Sequence, residues 1–240
     1  MDPGFYVIDI DGTLVNSHSD KEGAAPNYKH GFGFYPVVAY LDATGEPLAG
    51  LLRPGNAGSG TAADHINVLD AALHQLPVDP HATEVIARTD TAGCSHGFLD
   101  ACRERGVRFV VGHNLTAEIA AVVLEVPERH WVPAITADGT YERDHAQVAE
   151  ITGWVDVSGW PEGSRVIARR EEPHPGAQLT FTDVDGHRYQ VFITDHPSRD
   201  VGFLEALYRG RGRCECAIRR SGAGVGAENH PRGGIAPATR

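Results

Sequence analysis

The first apolar run, Phe5-Tyr-Val-Ile-Asp-Ile-Asp-Gly-Thr-Leu-Val15, is rich in β-branched residues and reads as a buried strand. Phe34–Leu41 and Pro47–Arg53 predict a second and a third strand, joined by the hairpin-like segment Asp42-Ala-Thr-Gly-Glu46. Arg53–Gly60 is a loop on turn chemistry alone. The period then lengthens. Thr61, with Asp64 three positions on, is an N-cap signal, and Ala62, Ile66, Leu69 and Leu73 form a helical stripe that Pro77 stops. Glu84–Thr89 predicts a fourth strand ending on Asp90, and Phe98, Leu99 and Cys102 a second helix. Val107–Val111 follows as a fifth strand, and Thr116 caps a third helix with Ile119, Val122, Val123 and Val126 along its inner side.

The order is therefore β-β-β-α-β-α-β, three meandering strands and then two crossovers. It is a ribonuclease H-like order rather than the strict alternation of a doubly wound sheet. The expected class is α/β: a ribonuclease H-like mixed sheet with helices, interrupted by a β-rich insertion. Residues 1–126 form the first part of that core and residues 127–197 the insertion, with strands at Ser164–Arg170, Gln178–Thr182 and His187–Thr194 and a hairpin turn at Asp183–Gly186. Residues 198–220 return to a core helix with Leu204, Leu207, Cys214 and Ile218 inward. Residues 221–240, Gly- and Pro-rich without periodicity, are expected to be disordered.

Charge sharpens this division. The net charge is −11, which argues against a protein that simply coats nucleic acid. Residues 201–240 carry seven arginines against three acids, a local +4 that leaves −15 on the first 200 residues. An acidic body with a basic C-terminal segment suits a metal-dependent nuclease-like centre. No run approaches the roughly 18 apolar residues of a membrane span, and the start, Met-Asp-Pro-Gly, lacks the positive region of a secretory signal. The four cysteines are too few for a disulfide scaffold and poorly spaced for zinc, so reduced thiols and a cytoplasmic setting are expected.

Candidate chemistry starts in the first strand. Asp9 and Asp11 are two apart and share one face, and a buried carboxylate needs a cation, a metal or solvent at a strand end. Two oxygens on one face beside a Gly-Thr turn are half of a site for a hard divalent cation. Asp90 has the same setting at the end of the fourth strand. Tyr208, Arg211 and Glu215, at i, i+3 and i+7, would lie on one stripe of the last helix.

Asp-Ile-Asp-Gly-Thr (9–13), Arg-Thr-Asp-Thr-Ala-Gly (88–93) and Tyr-x2-Arg-x3-Glu (208–215) resemble the three motifs of DDE transposases from bacterial insertion sequences. Lys21–Ala25, Gly33–Ala39, Leu52–Gly58 and Ser158–Pro161 look like the insertion-sequence 1380 group, and the resemblance runs from about residue 5 to 220. It implies that Asp11, Asp90 and Glu215 are catalytic and hold two Mg2+ (or Mn2+) ions, with Asp9 able to replace or assist Asp11. It further implies strand cleavage at element ends and transfer into a target, with DNA as partner and a homodimer in a synaptic complex at the nucleoid. Arg211 would contact phosphate and Tyr208 orient flanking DNA, while Trp131, Trp154 and Trp160 are candidates for stacking on a flipped base.

The chain also departs from that pattern. These transposases usually begin with a helical end-binding region, their signature continues with a Lys where Gly222 stands, and Gly210 and Gly212 weaken the last helix. A truncated or frame-shifted copy would look like this. Two rivals follow: a catalytically dead remnant that binds DNA or a transposase, and a haloacid dehalogenase-type Mg-dependent phosphatase. In the phosphatase, whose first motif Val7–Val15 also resembles, Asp9 would be the nucleophile and Asp11 the general acid.

Overall fold

The computed structural model describes residues 4–58, 60–173 and 183–213. In chain order its elements are strands β1 (Phe5–Gly12), β2 (Val15–Asn16), β3 (Ala25–Pro26), β4 (Phe32–Phe34), β5 (Val37–Leu41) and β6 (Pro47–Leu51), then helix α1 (Ala62–Leu73) and β7 (Glu84–Thr89). There follow α2 (His96–Glu104), β8 (Val107–His113), α3 (Ala117–Glu125), β9 (Val132–Ile135), β10 (Glu142–Glu150), β11 (Arg165–Glu171), β12 (Asp183–Val184), β13 (His187–Thr194) and α4 (Val201–Arg209).

Among the described residues ten strands form one mixed sheet in the order β6-β5-β1-β7-β8-β13-β11-β10-β9, with β12 beside β13. β1, β7 and β8 are parallel neighbours, whereas β5 and β6 on one side and β13 on the other pair antiparallel. The outermost strands, β6 and β9, are short and contain Pro47 and Pro133. β2, β3 and β4 make a separate three-stranded sheet.

Sequence alternation explains which face each helix covers. Ile8, Ile10, Val85, Ala87, Phe109 and Val111 point to one face, against Val68 and Leu69 of α1 and Phe98 and Leu99 of α2. Further along the same face α3 packs Ile119 and Val123 on Val166, Ala168 and Val191. Val7, Ile86, Val110 and Phe192 point the other way, where α4 lays down Leu204, Leu207 and Tyr208. Each fully buried apolar side chain of this size contributes about 1.5–3 kcal/mol. The caps match the sequence signals: Thr61 and Asp64 close a capping box on α1, and Thr116 accepts from the Ile119 amide at 3.2 Å.

Several boundaries differ from the hydrophobic pattern. β1 stops at Gly12, because the Thr13 amide donates to the Pro36 carbonyl and Val15–Asn16 leave to pair with β4. Residues 127–197 supply β9 to β13, which continue the same sheet past β8 through the β8–β13 pairing. β9 and β10 went unread because β10 is mostly charged, Glu142-Arg-Asp-His-Ala-Gln-Val-Ala-Glu, and a register shift between Glu142 and Gln147, with His145 at φ 62°, breaks its alternation. The strand read at Gln178–Thr182 lies outside the described residues, and Asp183 pairs with Arg188 as the start of β12 instead of opening a turn.

The last helix is the largest difference. α4 ends at Arg209 and the helix read over 198–220 is interrupted at residues 210–211; its part beyond residue 213 lies outside the described residues. Gly210 caps it, the Arg211 amide turns back to the Tyr208 carbonyl at 3.1 Å, and helical geometry resumes only at residues 212–213. Tyr208 and Arg211 are thus separated by a tight turn. The residues behind this are Gly210 and Gly212, poor helix formers at the same point.

Candidate active site

The register of β1 on β7 organises the site. In this parallel pair Asp9 stands opposite Arg88, and Ile10 opposite Thr89 is the last pair of the ladder. Asp11 and Asp90 occupy the next positions, at the C-terminal ends of adjacent strands whose backbones run about 4.8 Å apart. Alternation puts Asp9, Asp11, Arg88 and Asp90 on the α4 face together with Val7 and Ile86. The sequence D-x-D on one strand therefore faces R-x-D on the next: an ion pair in the inner layer and two acids in the outer one.

The outer layer is half-buried. Asp11 Oδ1 accepts from the Gly12 amide at 2.8 Å. Asp90 caps a short 3-10 turn, Thr91–Gly93, its Oδ1 accepting from the Ala92 amide at 2.9 Å while Thr89 Oγ1 donates to the Asp90 carbonyl at 2.8 Å. Gly93 has no alternative here, since a Cβ would run into the Thr89 side chain.

The inner layer is closed. Arg88 is fully buried, and its Nε and Nη2 donate to the two oxygens of Asp9 at 2.6 and 2.7 Å. Nη2 also reaches Asp42 Oδ1 at 2.9 Å, and Nη1 donates to the Leu207 carbonyl in the last turn of α4 at 2.6 Å. Asp42 in turn takes both Arg213 Nε and Nη2, at 2.8 and 2.6 Å. Two carboxylates and two guanidiniums thus close on each other. Burial pushes the Asp9 carboxyl above its ordinary range, offset in part by the Arg88 hydrogen bonds and charge. Burial also acts on Asp42, but there the Arg213 hydrogen bonds, with the charges of Arg88 and Arg213, win and hold it below the usual range.

Two tyrosines flank the acids. Tyr208 stacks on Phe192 with ring centroids 4.7 Å apart, and its hydroxyl occupies the space where a Cβ on Gly112 would stand. The same space lies about 3 Å from the Thr91 amide and the Asp90 carbonyl carbon, so a bare backbone in mid-strand admits the phenol beside Asp90. Burial raises the Tyr208 phenol above its ordinary value, and the Asp90 charge adds to this against the pull of Arg211. On the Asp11 side, the Tyr35 ring lies 3.1 Å from the Cβ position of Gly12. Burial, then Tyr28 and the charges of Asp90 and Asp11, raises the Tyr35 phenol, while the Arg53 guanidinium sits 5.1 Å over its ring.

The other sequence candidates fall in different places. Asp9, offered as an alternative ligand, has both oxygens engaged by Arg88. Arg211 follows α4 close enough to Tyr208 to act on its phenol. Glu215 lies outside the described residues. Trp131 is buried beneath the Arg170 guanidinium, 4.4 Å from its ring centroid; Trp154 is exposed against His130; Trp160 stacks on His96 at 4.1 Å. Arg88, Asp42, Tyr35 and Gly112 were not singled out from the sequence. The two-residue spacing shared by Asp9/Asp11 and Arg88/Asp90 was the available signal for Arg88.

Asp11 and Asp90 offer oxygen donors only, the set that suits Mg2+ or Mn2+. Among the described residues no group of three or more His, Cys, Asp or Glu side chains is placed to hold a metal ion. The donor chemistry of this pair fits such an ion.

The family model described as Transposase DDE domain group 1 matches residues 2–233, and the chain belongs to that family. Its fold is similar to that of piggyBac transposase in the cryo-EM structure of a synaptic complex with hairpin DNA. The TM-score is 0.50 at 10% identity, over 89% of this chain and 40% of that one. The likeness is one of fold, and the chain spans 40% of the length of that transposase. No protein of curated function matches the chain. Among the described residues no helix is long and apolar enough to cross a membrane.

Proposed function

We propose that this chain is the catalytic domain of a DNA transposase that cleaves DNA strands at the ends of an insertion sequence and transfers them into a target. The observation that carries this reading is the placement of Asp11 and Asp90 at the ends of adjacent parallel strands, in a chain of the DDE family. The order third-second-first-fourth-fifth among β6, β5, β1, β7 and β8 supports a ribonuclease H-like core. The motifs quoted above favour the insertion-sequence 1380 group, and synapsis of two ends favours a homodimer working on DNA at the nucleoid.

Asp11, Asp90 and Glu215 are the oxygen donors for two Mg2+ or Mn2+ ions in this reading. When bound, such ions supply activation of the attacking water or DNA 3′-OH and stabilisation of the leaving oxygen. The chain's own residues do the rest. Asp11 is preferred to Asp9 because it stands at the open strand end, whereas Asp9 neutralises Arg88. Arg211 meets a phosphate of the scissile strand, and Tyr208, held by Phe192 and Gly112, orients the DNA beside Asp90. Tyr35 offers a protonated phenol on the Asp11 side as a donor toward a phosphate oxygen.

The phosphatase reading needs Asp9 as nucleophile, and an oxygen gripped in a buried bidentate pair cannot attack a phosphate in solvent. The dead-remnant reading has no observation among the described residues in its favour, since Glu215 lies outside them. Nicking of a labelled duplex carrying element ends decides between them. The active enzyme gives Mg2+- or Mn2+-dependent product that Asp90→Asn and Glu215→Gln each abolish. A chain that binds the duplex without cutting it is the remnant.

A further inference from the structure

The buried cluster does more than neutralise charge. Arg88 is two residues before Asp90 on β7, and its guanidinium reaches three separate parts of the fold. It grips Asp9 on β1, Asp42 in the turn after β5, and the Leu207 carbonyl at the C-terminal end of α4.

The last contact is the informative one. In a continuing helix the Leu207 carbonyl would accept from the Arg211 amide, but that amide turns back to Tyr208 instead. Leu207 is left with one of the orphan carbonyls of a helix end, and a cation at that end is also favoured by the helix dipole. Arg88 fills both needs. Gly210 makes room: a Cβ there would stand 2.5 Å from Arg88 Nη1 and 3.1 Å from Arg213 Nη2. Three residues beyond, Arg213 closes on Asp42, the same carboxylate that Arg88 holds. The chain after α4 is therefore tied twice to one ion cluster, and that cluster sits directly beneath the Asp11–Asp90 layer.

We propose that Arg88 is a positioning residue: with Asp9, Asp42 and Gly210 it latches the end of α4 onto the strand that bears Asp90. The latch sets where Tyr208 and Arg211 meet the two strand-end acids. The reading rests on the transposase function proposed above, but the latch itself does not. In this view Asp9 acts through Arg88, and the family-like motifs at 9–13 and 88–93 each contribute one acid to the site and one partner to the latch.

The test uses the full 240-residue chain and two variants. Arg88→Lys keeps the charge and loses the fork that holds Asp9 and Leu207 at once. Gly210→Ala adds one methyl 2.5 Å from Arg88 Nη1, so it strains the latch from the α4 side while leaving Arg88, Asp9 and Asp42 in place. Hydrogen exchange and single-turnover nicking at saturating duplex are measured, together with the dissociation constant for that duplex. In both variants exchange at residues 208–213 is expected to rise about 10-fold while β7 and β8 stay protected. The nicking rate should fall about 100-fold, the order expected when a catalytic group is displaced by an ångström, with duplex affinity little changed. Should Arg88→Lys fail to fold, Gly210→Ala carries the same comparison. Unchanged exchange at 208–213 overturns the latch, and faster exchange with an unaltered nicking rate overturns its positioning role. If the parent chain does not nick at all, the functional reading fails and the latch is judged on exchange alone.

Discussion

Asp9 and Arg88 stand directly opposite each other on parallel strands, and the guanidinium holds both carboxylate oxygens at 2.6 and 2.7 Å with neither side chain more than 1% exposed. The pair divides the labour of the two acids in the first strand. One is spent on a buried cation, and the other stands at the strand end, where the proposed function puts the chemistry.

That division predicts opposite phenotypes. Asp9→Ala takes the bidentate partner from a buried guanidinium and should destabilise the fold by about 3 kcal/mol, whereas replacing Asp9 and Arg88 together by Leu and Met should recover part of the loss, the Leu207 carbonyl then lacking its donor. Asp11→Ala, at the half-buried end, should cost about 1 kcal/mol or less. Urea denaturation followed by circular dichroism measures all three, and equal losses at Asp9 and Asp11 would contradict the layering.

Gly112→Ala should cost about 1–3 kcal/mol, because its methyl claims the space of the Tyr208 hydroxyl. Combined with Tyr208→Phe, which removes that hydroxyl, the loss should shrink. A thermodynamic cycle over the two single variants and the double variant reads the coupling. Strict additivity would show that the two groups do not share this space.

Tyr35→Phe should leave stability within about 0.5 kcal/mol while slowing nicking at saturating DNA about 10-fold, the order of one hydrogen bond to a charged group. An unaltered rate would remove the phenol from the proposed chemistry.

Stability should also fall on mild acidification. His196 sits where β13 leads into α4, its Nδ1 accepting from the Ser198 amide at 3.1 Å, while Arg165 holds the His196 and Ser198 carbonyls. Burial lowers its pKa below the ordinary 6.5, despite Glu84 lying 3.6 Å from Nε2. A depressed folded value means the contribution is complete above 6.5 and is lost as pH falls through the folded value. The urea midpoint should therefore drop between pH 7 and 5, before the carboxylates titrate. In His196→Asn that part of the slope should vanish, and a slope that survives the substitution would assign it elsewhere.

Five of the eight strands up to His113 were legible because their burial is written locally, as β-branched runs with clear turn residues between them; β2, β3 and β4, two or three residues long, carry no such pattern. β10 was not, since its charged residues are held by pairing with β11 and no alternation announces it. Asp11 and Asp90 could be named as strand-end acids from position alone. Arg88 could not, because its partners Asp9, Asp42 and Leu207 are distant in sequence, and only the register of β1 on β7, the turn after β5 and the end of α4 bring them to it. Gly210 is the intermediate case: its low helix propensity could be read from the sequence, but not the guanidinium that needs the space.

The prolines of β6 and β9 bear on how copies of this chain meet. Each outer strand lacks one amide donor, and each is only four or five residues long. Short edge strands with a proline are poor templates for a neighbouring molecule to extend. The two sides of the sheet are thus guarded against polymerisation, which favours contacts between copies through side-chain surfaces or through shared DNA.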